Sequence, residues 1–307
     1  MKELGLANKT VLAIIPHQDD EVIGMGGVLA HACLCARSVH VVLVTDGAAD
    51  SGCLSVEGFH PCMRWNDIAA DISPGTHEHD LHLARGESGE WFHPQPEHPL
   101  FPKESNDERV TGFACPEWGR RRDEDFLRVC EALGVGSSQV TFAFHDPDAP
   151  EHIKDGQTAV DGRPLSPEEM AERYAQVAGH YIKHFQPDVL LTTAPYEFTP
   201  APNDHWAMAH GAARAAEDFS VARVFYHASG RLYRHIHDGG ALPPGLRAVE
   251  LPEAIWEIKR RAIGEYFRWD PTRKLYATAG HSVPQTFRAI LQAPRHIEYI
   301  LIDHCAP

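Results

Sequence analysis

The chain has 307 residues and 43% apolar content, enough for a sizeable core in one large domain or two small ones, and its formal net charge is −15. That balance excludes a nucleic-acid phosphate backbone or an anionic membrane surface as the main partner, since both require clustered Lys and Arg. The seven cysteines are odd in number and lack C-x-x-C spacing, which speaks against a disulfide framework and against a Cys-based metal site.

Taken in chain order, the first apolar run spans residues 11–15. It is too short for a signal region and reads as a buried strand. PHQDDE follows as a short loop, then VIGMGGVLAHACLCA as a helix with Cys33 and Cys35 as buried thiols. Gly24, Gly26 and Gly27 fall inside that helix and not between strand and helix, so they indicate close packing and not a phosphate loop. A second buried strand is expected over residues 39–44. From about 48 to 119 the periodicity disappears, and this stretch is expected to be an irregular insertion or lid.

Order resumes with RRRDEDFLRVCEALGV, a helix ending at Gly134, and VTFAF, a strand. Ser166-Pro167-Glu168-Glu169 is a helix start with an N-cap, a proline at the first position and a capping box. A strand is expected over 189–193, a helix from about Asp204 and a strand over 221–226. Residues 250–307 read as a C-terminal helical extension. Lys259, Arg260 and Arg261 read as its solvated face, and Arg120, Arg121 and Arg122 as a helix N-terminal or loop contact. The alternation predicts one α/β domain over 1–307, Rossmann-like, with a mostly parallel sheet covered by helices on both faces. No run of about eighteen apolar residues occurs, so no membrane span is expected, and a cytoplasmic location is the default.

Two short segments carry chemistry. His17-Gln18-Asp19-Asp20-Glu21 follows the first strand, where open α/β sheets bind ligands. Three acids and an imidazole in five positions repel one another unless a cation compensates them. His17 and Asp20 can turn toward one metal, leaving Asp19 to face a water. An acid-rich helix N-terminus accounts for the carboxylates but not for the histidine. Pro202-Asn203-Asp204-His205 follows another buried strand and opens a helix, so His205 can supply a third ligand. Two histidines, one carboxylate and an open position form a catalytic zinc arrangement. Taken alone, the second segment reads rather as a helix cap followed by a surface histidine, and it is its pairing with the first segment that raises the metal reading.

PHQDDEVIGMGG resembles the (A/P)HPDDE segment of the PIG-L/LmbE-like deacetylases. These include the N-acetylglucosaminyl-phosphatidylinositol, mycothiol-pathway, bacillithiol-pathway and glycopeptide-antibiotic deacetylases. The likeness continues through VVLVTDG, RRRDEDFLRVCEALGV, QPDVLLTTAP and NDHWAMAH, in that order. The resemblance implies one Zn2+ per chain held by His17, Asp20 and His205, with Asp19 as general base. It implies a tuning role for Asp204 as a second acid. It also implies substrate contact for Arg122, for which an ion pair with Asp125 is the structural alternative.

The family's usual His-Pro-Asp-His is Pro202-Asn203-Asp204-His205 here, and Pro202 cannot stabilise an oxyanion as that first histidine does. Losing such a donor costs about two orders of magnitude in rate or more. Tyr196, His281 and His77, His79 or His82 of the insertion are the candidates to replace it. The implied activity is hydrolysis of an N-acyl, in particular N-acetyl, amide of an amino sugar or glycosylated small molecule. An amidase acting on a non-sugar natural product and a metal-dependent carbohydrate-binding protein without catalysis stay open, as do homo-oligomer contacts.

Overall fold

The computed structural model describes residues 1–47, 84–85, 91–92, 116–160, 162–195, 203–267, 269–270, 275–276 and 284–303. Its centre is a seven-stranded sheet made of β1 (Thr10–Ile15), β2 (Ser38–Leu43), β3 (Val140–Phe142), β4 (Val189–Thr193), β5 (Arg223–His227), β6 (Arg247–Glu250) and β7 (Ile297–Asp303). In space the order is β6-β7-β5-β4-β1-β2-β3. From β3 to β5 all pairings are parallel, and β7 runs antiparallel to both β5 and β6. The chain winds outward from β1 to β2 and β3, then returns to the other side of β1 with β4 and β5. The crevice between β1 and β4 is therefore the topological switch point, where such sheets bind ligands.

All six residues of β1 are buried, as the apolar run predicts for a strand covered on both faces. Alternate residues feed two separate cores. Val11, Ala13 and Ile15 join Val28, Phe126 and Ile263 on one face. Leu12 and Ile14 join Tyr174, Val177 and Met208 on the other. Helices α2 (Gly26–Cys35), α3 (Pro116–Leu133), α6 (Gly230–His237) and α7 (Glu253–Glu265) cover the first face, and α4 (Pro167–Phe185) and α5 (Asp204–Asp218) the second. The α4 start is as the sequence predicts: Glu169 N donates to Ser166 Oγ (3.1 Å), and Ser166 N donates to Glu169 Oε2 (2.8 Å). Gly211 seats α5 against α4, because a Cβ there would lie 2.7 Å from Ala175 N and 2.8 Å from Ala171 O.

Several expectations are corrected. The helix expected after PHQDDE is interrupted. A single turn, α1 (Asp20–Ile23), ends at Gly24, and α2 begins at Gly26. The glycines do serve close packing: a Cβ on Gly24 would lie 2.7 Å from Ala228 O, and one on Gly27 would lie 2.5 Å from Leu251 Cδ2. Second, the 250–307 segment is not a purely helical extension. It supplies α7 and α8 (Pro284–Leu291), but it also inserts β7 into the sheet between β5 and β6. Third, Lys259 is not on a solvated face. It is fully buried, and its Nζ donates to Glu298 Oε1 of β7 (2.6 Å) and to Ile23 O (3.0 Å).

Glu298 in turn accepts from Gly27 N (2.6 Å) and Val28 N (3.0 Å). The helix N-terminus that a nucleotide loop would offer to phosphate is thus filled by the chain's own carboxylate. Cys33 and Cys35 are half-buried and not buried, with free thiols. Burial pushes the Cys33 thiol up to about 11. Of the expected 48–119 insertion, residues 116–119 belong to α3, and two short strands at 84–85 and 91–92 are described. The rest of it, with His77, His79 and His82, lies outside the described residues, as do Tyr196, Pro202 and His281.

Candidate metal centre

Two loops at the carboxyl ends of the adjacent strands β1 and β4 build the site. After β1 the chain turns through His17 to Asp20, which opens α1. After β4, Asn203 caps α5 by accepting from Trp206 N (3.0 Å), which sets Asp204 and His205 in the first helical turn. The cap at Asn203 explains why a histidine two residues later is fixed and not left loose on the surface.

The structure brings together the three residues expected to hold metal. His205 Nε2 is 3.0 Å from Asp20 Oδ1 and 3.2 Å from Asp20 Oδ2. His17 Nδ1 is 3.6 Å from Asp20 Oδ2. The two imidazoles lie with ring centroids 4.9 Å apart. One ligand atom from each of His17, Asp20 and His205 falls within 4.8 Å of the others. Tetrahedral zinc with bonds of 2.0–2.2 Å separates its ligands by about 3.3 Å, so spacing and donor chemistry both suit that ion. Burial opposes the charged form of Asp20, but His205 and His17 outweigh it and hold the carboxyl well below its ordinary value. Burial also opposes the charged form of His17. Asp155, Asp20 and Asp204 outweigh it and raise that imidazole well above its ordinary value. Anionic charge around the two rings is therefore in excess, the condition that favours a bound cation.

Asp19 adopts the left-handed conformation, with φ 105°. Such a conformation in a residue other than glycine costs on the order of 1–3 kcal/mol and persists only where its surroundings enforce it. Here the enforcement is visible. Asp19 N donates to Glu21 Oε2 (2.9 Å), and Tyr266 Oη, just past α7, donates to Glu21 Oε1 (2.7 Å). Glu21 and Tyr266 are both fully buried. Burial raises the Glu21 carboxyl well above its ordinary value. On the side-chain face, Arg122 Nη2 lies 3.3 Å from Asp19 Oδ2.

That contact revises the reading of Arg122. The residue is buried, its Nη2 donates to Gln18 O (2.6 Å), and its Nη1 donates to Gly47 O (3.1 Å). Both terminal nitrogens of its guanidinium are thus engaged within the chain, one of them with Asp19. Asp125, the partner expected from the sequence, accepts from Arg128.

Asp204 is buried, and its Oδ2 is 3.1 Å from His17 Nε2. A further acid, Asp155, places Oδ1 3.0 Å from the same nitrogen. Sequence reasoning misses Asp155. The Asp155-Gly156 dipeptide signals a turn and nothing more, and its meeting with His17 depends on two loops far apart in the chain. Glu21 is part of the recognised motif, but its hydrogen bonds to Asp19 and Tyr266 are equally unreadable without the fold.

The family model of the GlcNAc-PI de-N-acetylases, PIG-L, matches residues 12–216. Among solved structures, the chain is similar to a deacetylase–bog complex from the biosynthesis pathway of teicoplanin. The identity is 18% and the TM-score 0.54, with 96% of this chain and 98% of that chain covered. It is also similar to a triple mutant of a deacetylase of the teicoplanin biosynthetic pathway, at 18% identity and a TM-score of 0.50 over the same shares of the two chains. At that identity the likeness speaks to the fold, which agrees with the α/β sheet described above. Comparison with curated proteins gives no match.

Proposed function

The chain belongs to the PIG-L family, whose model spans the β1, β4 and α5 segments that build the site, and from that premise we propose that it is a zinc-dependent hydrolase of N-acyl amides. The substrate class we assign is an N-acetylated amino sugar or a glycosylated small molecule carrying such a group. The observation that carries this reading is the meeting of His17, Asp20 and His205 beside an Asp19 that the chain holds in place from two directions.

His17, Asp20 and His205 would hold the ion. Zinc bound by such a set polarises an amide carbonyl and lowers the pKa of a water molecule toward neutrality. Asp19 accepts the proton of the attacking water and passes it to the leaving amine, a general base that becomes the general acid. Arg122 orients the Asp19 carboxylate, and Glu21 fixes its backbone. Asp204 acts on His17 and not on substrate.

Zinc content together with amine release from a panel of N-acetylated amino sugars tests the reading. Asp20→Ala and His205→Ala should lose the metal on elemental analysis. A zinc-loaded Asp19→Ala variant with full hydrolytic activity would refute the role of Asp19. Pro202 keeps a second reading in play, an amidase for a non-sugar natural product, because the oxyanion donor usual at that position is missing. Turnover of non-sugar amides with none on amino sugars would favour it. Metal without turnover on any amide would favour a carbohydrate-binding protein.

A further inference from the structure

The loop before α4 reaches the site through a chain of fixed points. Ile153 is buried and forms a parallel bridge with Thr45, at the carboxyl end of β2. Asp155 N donates to Asp46 Oδ1 (3.2 Å), and Gly156 N donates to Asp204 Oδ2 (2.8 Å). Gly156 takes φ 65°, a conformation that favours glycine, so the turn has the residue it requires. From α4, Arg173 ties both flanks, donating from Nη2 to Glu151 Oε2 (2.8 Å) and from Nη1 to Gln157 Oε1 (3.1 Å). The result is an Asp155 side chain only 11% exposed with Oδ1 3.0 Å from His17 Nε2.

The two nitrogens of His17 therefore face different partners. Nδ1 looks toward Asp20, which His205 also meets. Nε2 looks toward Asp155 and Asp204. A histidine that ligates metal through one nitrogen generally donates the N–H of the other to a carboxylate, which fixes tautomer and ring orientation. Asp204 shares its Oδ2 between His17 and Gly156 N, whereas Asp155 brings its own oxygen closer to the ring.

We infer that Asp155 is a positioning residue for the metal centre: it holds His17 by Nε2 so that Nδ1 is presented to the ion shared with Asp20 and His205. This rests on the reading of His17 as a ligand.

The test uses the full chain and the variants Asp155→Ala and Asp155→Asn. Zinc stoichiometry is measured by elemental analysis, and affinity by competition with a chromophoric chelator at one pH. The visible spectrum is recorded after cobalt substitution. Wild type should bind one zinc. Asp155→Ala should bind it about 10–100-fold more weakly, the usual cost of losing such a partner, and should show displaced cobalt bands while the metal-free protein melts as wild type does. Asp155→Asn retains an acceptor oxygen and should fall between the two. If Asp155→Ala does not fold, the comparison of Asp155→Asn with wild type carries the test. Wild-type affinity and an unchanged cobalt spectrum in the variants, with one zinc bound, would overturn the role of Asp155 and leave the zinc reading intact. Two zinc ions in wild type and one in Asp155→Ala would also overturn it, making Asp155 a ligand with His17 and Asp204. A wild type that binds no zinc would overturn both readings.

Discussion

Replacing Tyr266 with Phe removes one hydroxyl and nothing else from the packing against Phe287, whose ring centroid lies 5.9 Å away. The hydroxyl donates at 2.7 Å to Glu21 Oε1, and both residues are fully buried, so no bulk water can take its place. Leaving a buried carboxyl oxygen without its donor costs about 1.5–3 kcal/mol. At about 2–4 °C per kcal/mol for a chain near this size, the melting temperature should fall by about 3–12 °C. The effect should also reach the chemistry. Glu21 is the acceptor that holds Asp19 N, and Asp19 sits in a backbone conformation it would not choose unaided. Misplacing a catalytic group by a fraction of an ångström lowers turnover with little effect on substrate binding, so we expect kcat to fall about tenfold at unchanged KM. Urea unfolding and steady-state amine release measure the two effects. A double-mutant cycle with Glu21→Gln should show non-additive losses. Additive losses, or a Tyr266→Phe variant indistinguishable from wild type in both assays, would refute the linkage.

Lys259→Met should destabilise the protein by about 3–5 kcal/mol, because it strands the buried Glu298 charge. Adding Glu298→Gln to that variant should recover part of the loss in denaturant titrations. Gly211→Ala should cost about 1–3 kcal/mol and lower zinc affinity, since the new Cβ forces α5, which carries His205, away from α4. Asp123, the acceptor of Gln18 Nε2 at 2.6 Å, has its carboxyl pushed up to about 7 by burial. A folded value above the unfolded one means that its contribution to stability is present below about pH 4 and lost as pH rises through about 7. Melting temperatures of metal-free Asp123→Asn and wild type should therefore diverge in favour of the variant over that window. A constant difference between them would contradict the assignment.

The arrangement of β1 was legible because its signals are local. An unbroken apolar run means two covered faces, and Asp20 lies three residues beyond His17, close enough to join it by a short turn. The start of α4 was legible for the same reason, as Ser166 and Glu169 satisfy each other within one turn. His205 was legible only through the pairing of its segment with the first, since its place at the head of a helix by itself reads as a cap followed by a surface histidine. Arg122 was found, but its partner was not. A helix periodicity indicates which face is buried and not what meets it, and what meets Arg122 is Asp19.

By itself the sequence determined the α/β class, the strand-to-helix turns and the three residues whose side chains converge at the ends of β1 and β4. The tertiary structure alone decided what holds them there. Lys259 with Glu298 anchors the α1–α2 corner, Tyr266 reaches Glu21, and Asp155 reaches His17. Each of these is a polar or charged side chain whose local pattern reads as surface or turn. Its burial depends on a partner far away in the chain, 39 residues from Lys259 to Glu298 and 245 from Glu21 to Tyr266. No periodicity of 2 or 3.6 residues encodes such a distance; only the folded chain brings these groups into contact, Glu298 reaching Lys259 because β7 is inserted beside β5.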